Sequence, residues 1–174
     1  MPTEAVFLLH LVLGYLAWLL CFGAFIWPRL RSIPRADAQR LIAALHGFRF
    51  FGLVFILPGV VGPDLPESFA TPAAFGDFST GVLALLALLT FRIRPLFWLF
   101  VVGFNVLGLA DLVLAYVHAI QAGLPAHAGA LGAAYVIPIL YVPLLAITHL
   151  AALYLLVRPQ AKAARSLVRD EVVA

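Results

Sequence analysis

Charge is scarce in this sequence. Only 11% of its 174 residues are Asp, Glu, Lys or Arg, 64% are hydrophobic, and the mean hydropathy is +1.08. A soluble domain carries about 25% charged residues, so a soluble globular class is excluded. Cysteine is nearly missing too: Cys21 stands alone, so no intrachain disulfide can form and no CxxC motif exists. The catalytic signatures HExxH and GxSxG, the phosphate-binding Walker loop and the Gly-rich dinucleotide fingerprint are absent. No Cys/His cluster has zinc spacing. These absences lean away from an enzyme. The net charge of +3 is spread over the ends of apolar segments instead of forming one patch, which excludes nucleic acid as a partner.

Long apolar runs are what the sequence has in place of charge. Five stand out, at about 5–27, 41–62, 73–91, 95–120 and 133–157. Each is long enough to cross about 30 Å of hydrocarbon at about 1.5 Å per residue. The expected fold is all-α: a polytopic integral membrane protein with a five-transmembrane-helix bundle over 1–157 and a basic tail at 158–174. "MPTEAVFLLH" has no basic n-region, and no small-residue cleavage site follows it, so it reads as a first span and not as a removable signal peptide. Prolines supply the punctuation. Pro28 is expected to end the first helix. Ser32-Ile33-Pro34 should begin the second, and Thr71-Pro72 should cap and begin the third. Pro58, Pro138 and Pro143 are expected to kink the second and fifth.

Basic residues set an orientation. Arg29, Arg31, Arg35 and Arg40 lie between spans one and two, Arg92 and Arg94 between three and four, and Arg158, Lys162, Arg165 and Arg169 after span five. The opposite side carries Glu4, Asp64, Glu67 and Asp77. Positive charge marks the cytoplasmic side, so the N-terminus is expected outside and the C-terminus inside. The expected location is a membrane, the inner cell membrane for a bacterial source. The lipid bilayer is the first partner, and a partner membrane subunit or a second copy is a further candidate. Arg158, Lys162, Arg165 and Arg169 recur at helical spacing; they read as a solvated end that sets topology or as a contact with anionic headgroups.

Arg49 is the basic residue that orientation does not explain. It lies in "ALHGFRFFG", about 12 Å into the second span, and Asp111 lies about 13 Å from the outer end of the fourth. Their depths differ by about 5 Å in a core of about 30 Å, so a buried Arg49–Asp111 ion pair is expected, with Asn105 as a further polar partner. Histidines form two layers: His10 and His118 near the outer ends of spans one and four, and His46 and His149 in the inner halves of two and five. Paired imidazoles on two helices are what axial ligation of a b-type haem needs, and Arg49 suits a haem propionate as well as an Asp.

Five helices with histidines on the first, second, fourth and fifth resemble the di-haem cytochrome b membrane anchors of succinate and fumarate:quinone reductases. The resemblance covers the span order and four positions. It implies haem b held by His10 with His118 and by His46 with His149. That family begins in the cytoplasm, opposite to the orientation the charges give here. Three functions follow from these features. The first is an accessory or assembly subunit whose Arg–Asp pair holds the bundle. The others are a haem b or quinone-binding redox protein, and a small-solute or proton transporter subunit with Arg49, Asp111, Asn105 and His149 along a polar track.

Overall fold

The computed structural model describes residues 1–158. Lys162, Arg165 and Arg169 lie outside the described residues. Among the described residues the architecture is helical, with five helices long and apolar enough to cross a membrane: α1 (Thr3–Ser32), α2 (Arg35–Ile56), α3 (Glu67–Leu89), α4 (Arg94–Gln121) and α5 (Ile137–Val157). A short 3₁₀ segment, Ala128–Tyr135, leads into α5. The α3 helix packs along both α2 and α4, while α5 lies against α1, α2 and α4.

The prolines act differently from the sequence expectation. Pro28 does not end α1. Just before it, Phe22–Ile26 widens to a π turn, in which the Trp27 N–H reaches back five residues to the Phe22 carbonyl. The wider turn accommodates the ring and the missing N–H, and the helix continues to Ser32. The same device recurs before Pro143, where Ile137–Tyr141, with Pro138 inside it, is a π turn closed by the Val142 N–H on the Ile137 carbonyl. The Trp18 indole N–H donates to the Leu140 carbonyl in that turn at 2.8 Å, tying α1 to α5. Pro72 does not begin α3 either. Pro66 stands at the cap, the helix starts at Glu67, and Pro72 lies inside it. Pro58 kinks nothing, since α2 stops at Ile56 and Leu57 is already extended, as the residue before a proline prefers. Pro34 does precede the first residue of α2, Arg35.

The α2 helix changes winding half-way. Arg35–His46 is α-helical, and Gly47–Ile56 is 3₁₀. With three residues per turn, positions three apart eclipse one another. His46, Arg49, Gly52 and Phe55 therefore form one straight buried row, while Phe48, Phe50 and Phe51 face out.

Two apolar clusters fill the bundle. One includes Phe22, Ile42, Phe97 and Phe104 and lies toward the end that carries Arg35 and Arg94, here the basic end. The other includes Phe7, Phe55, Phe69 and Leu131 and lies toward the far end. Outside, Leu20, Phe25, Phe51, Leu99 and Leu150 are exposed, an apolar perimeter far larger than a soluble monomer carries.

Candidate functional site

Between the two apolar clusters lies a layer of polar side chains drawn from four helices. Arg49 on α2 is its hub and is fully buried. Its Nε donates to Asp77 Oδ1 on α3 at 2.6 Å, and its Nη2 donates to Asp111 Oδ2 on α4 at 2.5 Å. Nη1 donates to His149 Nε2 on α5 at 3.0 Å and to the Gly108 carbonyl on α4 at 3.3 Å. A guanidinium is donor-only, with a planar fork that suits this many acceptors.

That arrangement decides the tautomer of His149. Because Nε2 accepts from Arg49, the ring proton sits on Nδ1 and is donated to Asn105 Oδ1 at 3.0 Å. Asn105 in turn donates from Nδ2 to the Val101 carbonyl one turn back at 2.8 Å. His46 is placed by Thr148. The Thr148 hydroxyl has one proton, directed to the Leu144 and Leu145 carbonyls, so it accepts from His46 Nε2–H at 3.0 Å. His46 Nδ1 is then a buried acceptor with no partner among the described residues. Gln39, two turns nearer the basic end, donates to the Ala152 carbonyl at 2.9 Å and leaves its Oε1 unpaired in the same way.

Glycines make the room. A β-carbon on Gly52 would collide with the Asp77 carboxylate, one on Gly76 with Asp111, and one on Gly108 with His149 and the Arg49 guanidinium. The 3₁₀ winding sets Gly52 one turn past Arg49 in the same row, which opens a notch that Asp77 fills.

A family model described as a domain of unknown function, DUF8737, matches residues 6–157. The chain belongs to DUF8737. No curated protein and no solved structure matches it. The matched stretch holds every residue of the Arg49 cluster.

This DUF8737 cluster floors a cleft of about 190 Å³ that extends toward the far end, between α1 and α4. The walls are apolar, with Phe7, Phe55, Phe69, Leu112 and Tyr116 prominent, and Asp77 and Asp111 are the charged groups that reach it. Their side chains are 9% and 11% exposed, against 0% for Arg49. A hydrogen bond of 2.7 Å between the Tyr15 and Tyr116 hydroxyls links α1 to α4 beside the cleft.

The DUF8737 structure thus brings together Arg49, Asp111, His149 and Asn105, with the His46 ring against His149. Asp77 was expected among the outer acidic residues; it is instead the second carboxylate on Arg49. Its signal was a stripe of small residues, Ala70, Ala73, Thr80, Gly81, Ala84 and Ala87, all buried with Asp77 in its middle. Such a stripe marks a helix packed closely on its neighbours.

His46 and His149 do not fit haem. The His46 and His149 rings meet at 42° with centroids 4.0 Å apart, which leaves no gap for a macrocycle between them, and both His149 nitrogens are engaged. His10 is exposed and bonds the Tyr135 hydroxyl at 3.0 Å, while His118 Nδ1 has no partner among the described residues. Of the basic tail, Arg158 is described: its carbonyl accepts from Arg35 Nη2, closing the basic end of α5 onto α2. On α1, Gly14 sits on the Ile139 carbonyl at the π turn of α5.

Proposed function

We propose that this chain is an integral membrane protein of proton-coupled transport, whose central cluster holds one exchangeable proton. The helices α1 to α5 cross the bilayer with the basic end in the cytoplasm, because Arg29, Arg31, Arg35, Arg40, Arg92 and Arg94 all lie there. The cleft then lies in the outer half of the membrane.

The observation that carries the reading is that Arg49 holds two carboxylates, one more than it neutralises. A second charge left uncompensated away from water costs several kcal/mol, by about the amount estimated for buried ions. The cluster is neutral only with one proton bound, shared between Asp77 and Asp111. A pair that merely fastens two helices needs a single carboxylate. Toward the cytoplasm the polar groups continue through His149 and Asn105, then the unpaired acceptors His46 Nδ1 and Gln39 Oε1. Ionisable groups in such a file, buried in the bundle interior, are the usual components of a proton path.

Infrared spectroscopy of the purified protein tests this directly. A carboxylic acid carbonyl absorption is expected at neutral pH, shifting promptly in heavy water and altered by Asp77→Asn or Asp111→Asn. Absence of that band would mean two ionised carboxylates and would overturn the reading. A second reading, an accessory or assembly subunit, draws on the way Arg49 fastens α2 to α3, α4 and α5. In that case the proton is fixed, the band does not exchange, and the sparsely buried α1 is the face offered to a partner subunit or second copy.

A further inference from the structure

We propose that the cleft between α1 and α4 binds a lipophilic ammonium ion, and that this ion and the proton of the cluster exclude one another. The inference rests on the proton-holding reading of Arg49, Asp77 and Asp111 given above.

The walls and the floor of the cleft ask for different things, and few ligands supply both. Four aromatic rings line it, from Phe7, Phe55, Phe69 and Tyr116, with Phe55 and Phe69 edge to face at a centroid distance of 5.5 Å. The floor is two carboxylates. Each gives one oxygen to Arg49, and its other oxygen makes no hydrogen bond among the described residues. Aromatic faces combined with negative charge are the recognition chemistry of alkylated ammonium groups. An anion would meet the carboxylates. A bare metal ion would lose its water to walls that offer no carbonyl ligands. A neutral hydrocarbon would satisfy the walls and leave the charge on the floor unanswered. A volume of about 190 Å³ suits a small aryl or alkyl ammonium.

Charge arithmetic couples the ion to the proton. One guanidinium and two carboxylates sum to one negative charge, which a proton or a monovalent cation can cancel, but not both together. On arrival of the ion, the O–H bond of the shared carboxylic acid breaks, the proton leaves to water, and the carboxylate pairs with the ammonium; no electrons are transferred. The other titratable groups around the cluster do not take the proton's place. Arg49 on α2 stays charged. His149 on α5 already spends Nε2 on Arg49, and His46 on α2, though its Nδ1 is unpaired, lies against Thr148 and His149 and does not line the cleft. Tyr15 on α1 and Tyr116 on α4 are hydrogen-bonded to each other, and Tyr141 on α5 is bonded to the Leu45 carbonyl.

The test uses the full chain in detergent, benzyltrimethylammonium as the probe, and neopentylbenzene as its neutral isostere with carbon in place of nitrogen. Calorimetry in two buffers of different ionisation enthalpy counts the protons released. The expected result is that the cation binds in preference to the isostere and releases close to one proton. Its affinity should fall about tenfold for each pH unit of acidification, as one-for-one competition requires. Asp111→Asn abolishes both the release and the preference for the cation. Phe69→Leu, clear of the ion cluster, weakens the cation about fivefold or more through the lost ring face, and keeps the test open where Asp111→Asn fails to fold. Equal binding of cation and isostere, or binding of the cation with no proton released, overturns the proposal. A carboxylic acid band without any cation binding removes this inference and leaves the proton-holding reading standing, whereas absence of the band removes both.

Discussion

Gly76 and Asp111 meet so closely that the carboxylate of Asp111 occupies the space a methyl group on residue 76 would need. The ion cluster is held as much by missing side chains as by those present. Gly52 seats Asp77, and Gly108 seats His149 together with the guanidinium of Arg49.

Gly76→Ala should therefore act on a charge and not only on packing. The added methyl pushes Asp111 off Arg49, and the expected loss is about 1–3 kcal/mol for the overpacking alone, with more from the disturbed pair. Thermal unfolding in detergent measures it. Gly23→Ala, with nothing near the new methyl, serves as the comparison and should change stability little.

Arg49 and Asp111 should behave as one unit in a double-mutant cycle. Arg49→Met strands two carboxylates and is expected to cost about 3–5 kcal/mol. Asp111→Asn costs less, because Asp77 still answers the guanidinium. The double variant should lose less than the two single losses added together. Agreement with simple addition to within about 0.5 kcal/mol would mean that the two are not coupled.

Asn105→Leu should leave the His149 tautomer in place, because Arg49 still donates to Nε2, and should strip the Nδ1–H of its acceptor. With no acceptor for Nδ1–H, the expected cost is about 1–3 kcal/mol for the unpaired buried donor. Nitrogen NMR of labelled histidine reads the change: the ring should carry its proton on Nδ1 alone in both proteins, with the Nδ1 resonance shifted in the variant by the lost hydrogen bond. A wild-type ring protonated on Nε2 would contradict the assignment.

Haem added to the purified protein should produce no low-spin bis-histidine spectrum. The touching His46 and His149 rings, with centroids 4.0 Å apart, would have to separate by the width of a macrocycle and its iron bonds. A Soret band lost in His46→Ala and His149→Ala would show that they do so.

Much of this architecture is legible in the residues themselves. Five apolar runs become five long helices because each run has the length and composition that satisfies its backbone internally. Counting 1.5 Å per residue was enough to bring Arg49 and Asp111 to similar depth. Asp77 escaped the same count because Thr71-Pro72 resembles a helix start, which put Asp77 in a first turn; the helix in fact begins at Glu67 and carries Asp77 well inside. The prolines misled for a related reason. Local rules describe what Pro28 does to an α-helix, while the chain answers with a π turn, whose extra residue no propensity scale records. The inner histidine pair failed at the next level up. Depth can be counted along one helix, but whether two rings are stacked or separated depends on how the helices pack.

The winding of α2 has a mechanical consequence. Rewound as an α-helix, the ten residues Gly47–Ile56 would be about 5 Å shorter, since the rise drops from about 2.0 to 1.5 Å per residue. Positions three apart would then slip by about 60° at each step. Arg49 and the Gly52 notch would part, and Asp77 would lose its seat. The length of this segment and the integrity of the charge cluster are thus one variable, so a pull or push along the axis of α2 reaches the buried guanidinium as a rotation.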